Sequence, residues 1–211
     1  MRIKRLFVVV VTVSLMGGLT ACQNKSEKKE SGTTYELSRE TKEKVLKEGQ
    51  ELTNATLAVF QKHLKSAIKE GGLDHALDYC HKKAMFLTDS ISNAKGVVVR
   101  RLAKKNRNPF NILDKEGEQV YAEYEKEIAA GKPLKPQVRV NRLGNAVYYA
   151  PIKISKEVCL KCHGMPGKDI PPERVKKIQK YYRHDKATGF KMGDLRAVWA
   201  VIFPQYSVEA K

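Results

Sequence analysis

Apolar residues recur at steps of three and four between residues 37 and 96, which predicts amphipathic helices. The segment from Leu37 to Lys69 contains almost no helix breaker and is predicted as one long helix, which Gly71-Gly72 ends. A second helix follows and stops near Gly96. Its apolar stripe, at steps of four and three, consists of Leu73, Leu77, Cys80, Ala84, Leu87 and Ile91. Cys80 is therefore expected to face the core.

Strand patterns dominate the second half of the chain. Two alternating segments, 137–140 and 146–154, flank Leu143-Gly144-Asn145 and predict a β-hairpin. The near-continuous apolar run at 195–203 is typical of a buried central strand. The other predicted elements are a strand-like run at 97–100, a loop at 104–111, and helices at 116–130 and 173–182. Helices first and an antiparallel sheet afterwards predict an α+β fold.

The first 21 residues have the three parts of an export signal. Three basic residues are followed by an apolar run from Leu6 to Met16 and by small residues before Cys22. The run is shorter than the roughly 20 residues of a membrane-spanning helix. Leu19-Thr20-Ala21-Cys22 resembles the bacterial lipoprotein box, so we expect a signal peptide at 1–21 and a lipid on Cys22. An uncleaved anchor is the alternative.

The segment after Cys22 is polar and rich in Lys, Glu, Ser and Gly. This composition predicts a flexible tether over 22–36, which leaves a single domain at 37–211. Gln23 follows the cysteine, and by resemblance to Gram-negative sorting this favours the outer membrane over the inner one. The expected location is thus the periplasmic face of a membrane, through a lipid anchor.

The chain is strongly basic, with 40 Lys plus Arg against 23 Asp plus Glu and a formal charge of +17. The three charges of the leader leave +14, which is 17 minus 3. Such a charge normally suggests nucleic acid as a partner, but an exported protein does not meet the chromosome. The remaining partners are anionic lipid headgroups or an acidic protein surface, and a solvated lysine face with no partner is the other interpretation. A hydrophobic content of 42% excludes disorder and a polytopic membrane protein.

The chemistry is concentrated in Cys159-Leu160-Lys161-Cys162-His163, the sequence of covalent c-type haem attachment. Two thiols three positions apart on one helical turn reach the two vinyl groups, and the next imidazole lies under the iron. A thioredoxin-like dithiol would need a βαβ unit around the cysteine pair. A zinc site would need a second Cys/His pair with suitable spacing, and the sequence has none. One covalent haem c is therefore the predicted cofactor.

Once Cys22 carries a lipid and Cys159 and Cys162 carry the haem, Cys80 is the cysteine left over. A free thiol in an exported protein asks for an explanation. One interpretation is a small buried hydrophobe, and the other is a sixth ligand to the iron. The pattern also leaves Met85, Met192 and His184 open as ligands.

The order of motifs along residues 40 to 204 resembles the PAS-like single-haem c-type family, long described as a domain of unknown function. The motifs are Cys80, Arg100-Arg101, Arg107-Asn108-Pro109-Phe110-Asn111, Cys159-Leu160-Lys161-Cys162-His163-Gly164 and Thr188-Gly189-Phe190-Lys191-Met192-Gly193-Asp194-Leu195-Arg196. The resemblance implies N-terminal helices packed on a PAS-like antiparallel sheet with one haem c. It also implies histidine and cysteine as axial ligands, carried here onto His163 and Cys80. Ala197 is a departure, because the family usually has Gly there.

Three arginines, Arg100, Arg101 and Arg107, are candidates to pair with the haem propionates, since a guanidinium holds a carboxylate by two hydrogen bonds. Their alternative is ordinary surface charge.

Two strong axial ligands leave no open position on the iron, and a thiolate from Cys80 predicts a low reduction potential. The expected function is single-electron transfer to a redox partner protein, for which an acidic surface is one expectation, and not an enzyme activity. The alternative is a redox or small-ligand sensing module that signals through a separate partner.

Overall fold

The computed structural model describes residues 36–208, and the expected leader, Cys22 and all but the last residue of the tether lie outside this range. The elements in chain order are α1 (Arg39–Lys95), β1 (Val98–Leu102), a 3-10 turn (Pro109–Asn111), α2 (Lys115–Ala129), β2 (Gln137–Val140), β3 (Asn145–Lys153), α3 (Glu157–His163), α4 (Pro172–Tyr181) and β4 (Leu195–Ser207). Helices packed on one antiparallel sheet confirm the predicted α+β fold.

The strands lie in the order β1-β4-β3-β2, and every neighbouring pair is antiparallel. Apolar side chains of β4 alternate between two cores, with Trp199 and Val201 on the α1 side and Val198 and Ala200 on the α2 side. Burial on both faces is the reason for the continuous apolar run that predicts this strand. β4 continues to Ser207, beyond the predicted end at residue 203. The apolar run that predicted the strand stops before Pro204, whereas the strand itself continues through this proline.

The helix α1 contains a break at Gly71 and Gly72, whose backbone angles are not helical. Gly72 has φ +75°, a left-handed conformation that glycine adopts without strain. The break divides α1 into a first arm, residues 39–70, and a second arm, residues 73–95, as the glycine pair predicts. The side chain of Ser38 accepts a hydrogen bond from the Thr41 amide at the start, and Gly96 in the left-handed conformation ends the second arm.

The two arms pack against each other and against the sheet. Tyr79 of the second arm is hydrogen-bonded to His63 Nδ1 of the first arm at 2.8 Å. Gly49 lets the first arm approach the sheet closely, since a Cβ at this position would overlap the ring of Tyr148. Within residues 36–208, no helix is both long enough and apolar enough to cross a membrane.

Candidate functional site

A cavity of about 350 Å³ lies between the two arms of α1, the end of β3, α3 and the start of β4. Its volume falls within the roughly 300–1,000 Å³ of cofactor sites in proteins. The apolar part of its wall comes from both arms and consists of Phe60, Leu64, Ile68, Leu73, Leu77 and Ala84. Because the chain turns back at the glycine pair, both arms present apolar side chains to the same space.

His163 lines this cavity at the end of α3. Its Nδ1 lies 2.8 Å from the carbonyl oxygen of Ala187, which can only accept a hydrogen bond. Nδ1 therefore carries the proton, and Nε2 keeps the lone pair that a metal would need. Burial, with Arg196 and Arg107 acting in the same direction, holds the pKa of His163 well below its ordinary value. The imidazole is neutral at physiological pH, as a metal ligand must be.

The thiols of Cys159 and Cys162 project from the same short helix and line the same cavity. Burial raises the pKa of Cys162, against the smaller effects of Arg107 and Arg174. Gly164 follows the motif and allows the next loop to fold back, since a Cβ there would lie 2.6 Å from the Cβ of Asp169. The antiparallel sheet provides no βαβ unit in the described chain, so the surroundings of the two thiols differ from those of a thioredoxin-like dithiol.

Cys80 reaches this cavity from the second arm. Burial raises the pKa of its thiol, and a charge on Cys162 would raise it further, while Arg101 and Arg107 oppose this. The structure thus brings Cys80 together with His163 and the two thiols of α3, although they are far apart in the sequence.

Two further side chains with a donor atom for iron, Met85 and His81, also line the cavity. The His81 ring is stacked on Tyr181, with 4.4 Å between the ring centroids. Met192 and His184 are exposed to solvent and do not line it. Of the three alternatives that the sequence left open, Met85 is the one that the structure places at this site.

The structure separates the three predicted arginines. Arg101 lines the cavity, whereas Arg100 is on the other face of β1, where its Nη1 donates to Asp114 Oδ2 at 3.0 Å. The prediction for Arg100 is therefore corrected, because neighbouring residues of a strand point to opposite faces.

Arg107 lines the cavity, but its guanidinium is already bonded. Its Nε donates to Asp185 Oδ1 at 3.0 Å, and its Nη2 donates to the Cys162 carbonyl oxygen at 2.7 Å. Asp185 Oδ1 also accepts from the Ala187 amide at 3.0 Å. This network links the end of α3 to the segment whose carbonyl group orients His163. Arg107 thus positions the histidine motif.

Sequence reasoning missed two residues of the site, Asp185 and Arg196. Asp185 is the buried partner of Arg107, and nothing in the sequence pairs residues so far apart. Arg196 lines the cavity beside Ala197, although it lies in a strand whose alternation would place the two on opposite faces. The one sequence signal for Arg196 is its position at the end of the last motif of the family resemblance.

The residues present fit the haem c that the motif predicts. The wall is apolar on the side of α1, as a porphyrin ring requires, and two thiols and an imidazole stand together on α3. Cationic side chains line the cavity, while no Asp or Glu among residues 36–208 does so. This charge suits the anionic propionates.

The fold and the cavity define an α+β protein with a site suited to a flat, anionic cofactor, and comparison with known proteins gives the family. The Tll0287-like family model matches residues 33–204, so the chain belongs to this family and the expected resemblance is confirmed. The chain is also similar to the crystal structure of the cyanobacterial haem protein Tll0287, with 23% identity and a TM-score of 0.56. That similarity covers 77% of this chain and 98% of the other and concerns the fold. No curated protein matches.

We expect Asp185→Asn to lower the free energy of unfolding by about 3–5 kcal/mol, because it leaves the buried Arg107 charge without its partner. The side chains of Arg107 and Asp185 are only 12% and 5% exposed. The control is Glu43→Gln in the exposed pair with Arg39, where a loss of about 0.5 kcal/mol or less is expected. Urea denaturation followed by circular dichroism measures both, and equal losses would contradict this role of Asp185.

Proposed function

We propose that this chain binds one haem c, attached through Cys159 and Cys162, with His163 and Cys80 as its axial ligands. The observation that carries this proposal is the meeting of these four side chains in one cavity, from the second arm of α1 and from α3. The free Nε2 of His163 and the apolar wall support it. The similar structure of Tll0287 is described as that of a haem protein, which is further support.

When bound, haem c would supply reversible one-electron exchange. His163 contributes a neutral nitrogen, held in orientation by Ala187. The raised pKa keeps Cys80 protonated without the cofactor, so its ligation is coupled to release of the thiol proton. As a thiolate, Cys80 adds a negative charge that favours the oxidised state, and the proposed protein has a low reduction potential.

If His163 and Cys80 both ligate the haem iron, the site would suit outer-sphere electron transfer rather than an enzyme activity that needs a vacant ligand position. We therefore favour an electron carrier over an enzyme. Its partner would be a redox protein with an acidic surface, because the chain without its leader carries a formal charge of +14, which is 17 minus 3. Lys156 and Lys161 lie exposed beside the proposed attachment site and suit such a partner.

A low-spin, thiolate-type signal is expected in the low-temperature electron paramagnetic resonance spectrum of the ferric protein. Cys80→Ala should abolish this signal, since it removes the sulfur ligand. Met85→Leu is the matched control, because Met85 lines the same cavity and its replacement should leave the spectrum unchanged. A signal that survives in Cys80→Ala and is lost in Met85→Leu would overturn the assignment of Cys80.

The second candidate function is a sensing module, and the break at Gly71-Gly72 favours it. Cys80 lies on the second arm, which this break joins to the first. The second arm contacts α4 through the ion pairs Arg174–Asp74 and Lys177–Asp78. A movement of the second arm on release of Cys80 from the iron could thus be transmitted to α4 and from there to a separate output partner.

Carbon monoxide distinguishes the two functions. We expect the absorption spectrum of the ferrous protein to stay unchanged under CO, because Cys80 holds the sixth position in the carrier. Cys80→Ala serves as the positive control, since its open position should bind CO readily. Ready binding by the unaltered protein, measured by the same spectra, would favour the sensor.

For its location, we propose export and attachment to the periplasmic face of the outer membrane by a lipid on Cys22. The support is the sequence of the leader and the Cys22 motif, with Gln23 after the cysteine.

We expect the full chain to sediment with membranes and Cys22→Ala to appear in the soluble fraction after processing or to remain unprocessed. Cys80→Ala is the control, since it keeps the lipidation cysteine and should sediment like the unaltered protein. Fractionation followed by mass spectrometry of the N-terminal peptide gives the result. Mature, membrane-bound Cys22→Ala protein would disprove the lipid anchor.

A further inference from the structure

The cavity has an unbalanced positive charge. Four cationic side chains line it, and no carboxylate from the described chain does so; the four are Arg101, Arg107, Lys153 and Arg196. Buried charge is costly unless a partner of opposite sign compensates it. The partners of these cations therefore decide what the cavity can bind.

Arg107 and Lys153 do not need a ligand. Both oxygens of Asp185 accept from Arg107, at 3.0 and 3.2 Å. Asp185 Oδ1 also accepts from the Ala187 amide, and no hydrogen bond or ion pair joins Asp185 to Arg101 or Arg196. Lys153 is exposed to solvent at the end of β3. Arg101 and Arg196 are the two cations that remain.

Arg196 enters the cavity because of a bulge between β3 and β4. Ile152 pairs with Ala197 and Lys153 pairs with Leu195, so Arg196 has no partner across the ladder. Leu195 belongs to the core on the α2 side, whereas both Arg196 and Ala197 line the cavity. Bulges commonly redirect a side chain beside a functional site.

The guanidinium of Arg196 is only partly bonded. Its Nη1 donates to the Lys105 carbonyl oxygen at 3.1 Å, while its Nε is buried without any partner among the residues described. Burial lowers the pKa of Arg196 to about 10; the charges of Arg107 and Arg101 act in the same direction, while the carboxylate of Asp185 opposes them. Arg196 therefore has a buried N–H donor without a partner and lies close to other cations, a combination that favours binding of an anion.

Arg101 is in a similar state on β1. Its guanidinium lies 4.3 Å from the ring centroid of Phe60 and 6.0 Å from that of Trp199. The guanidinium of Arg101 makes no hydrogen bond or ion pair to another residue of the 36–208 segment; Arg101 is bonded only through its backbone in the β1–β4 ladder. The aromatic rings hold the plane of the guanidinium and leave its N–H groups for an acceptor.

We propose that Arg101 and Arg196 form a subsite for a dicarboxylate, one guanidinium to each carboxylate. This inference rests on the proposed function, in which the dicarboxylate is the propionate pair of the haem. Of the three arginines predicted for the propionates, this subsite keeps Arg101 and leaves out Arg100 and Arg107. It adds Arg196, so the bulge in β4 acquires a function.

The test uses mesohaem, whose ethyl groups cannot form thioethers, and its dimethyl ester, in which both carboxylates are neutral. The full chain is prepared without haem, and quenching of its single tryptophan, Trp199, reports binding. We expect mesohaem to bind at least about tenfold more tightly than the ester. Arg101→Gln and Arg196→Gln should each weaken mesohaem binding about tenfold, the effect of one charge-assisted pair, and leave ester binding unchanged.

Arg100→Gln is the matched control, since it removes the same charge from the next position of β1 on the opposite face, and it should change neither affinity. A variant that fails to fold would lose affinity for the ester as well. Arg196→Lys tests whether the charge itself matters. It keeps the positive charge, so its affinity for mesohaem should lie between those of the unaltered chain and Arg196→Gln.

Two contrary results would have different meanings, one for the subsite alone and one for the proposed function as well. Equal affinity for both probes, unaffected by the arginine variants, would overturn the subsite and leave the haem proposal standing. Failure of the unaltered chain to bind either probe would overturn the proposed function and the subsite with it.

Discussion

The break at Gly71-Gly72 is the constraint on which the site depends. A straight α-helix rises about 1.5 Å per residue, so an unbroken α1 would carry Cys80 tens of ångströms away from the part of the sheet that the first arm covers. The two non-helical glycines turn the chain back instead. The second arm then packs beside the first, and Cys80 meets His163 across a cavity whose apolar wall comes from both arms.

The two sides of the cavity are held by different kinds of interaction. On the side of α3, a buried pair between Arg107 and Asp185 links the carbonyl groups of Cys162 and Ala187, and the latter fixes the ring of His163. On the side of the second arm, the contacts with α4 are two partly buried ion pairs together with the small apolar cluster of Leu77, Ile170 and Ile178.

The parts of this arrangement that follow local rules could be predicted from the sequence. The glycine pair marks the break, helical spacing places Cys80 on the inner face, and the cysteine–histidine motif identifies α3. Strand alternation could also have separated Arg100 from Arg101, since the strand itself was predicted. Asp185 and Arg196 could not be found in this way. The first depends on a contact between distant segments, and the second depends on a bulge that reverses the alternation locally.

Charge balance connects the proposed ligand set with the proposed subsite. Arg107 is neutralised within the protein by Asp185, so it contributes little net field at the cavity. If the carboxylates of the cofactor neutralise Arg101 and Arg196, no uncompensated cation from these three arginines remains to oppose the negative charge of a Cys80 thiolate. The low potential attributed to cysteine ligation then persists although the protein as a whole is strongly basic. In the proposed cytochrome, the net charge of the chain would thus act on association with a partner, while the local pairing of each arginine would determine the field at the haem iron.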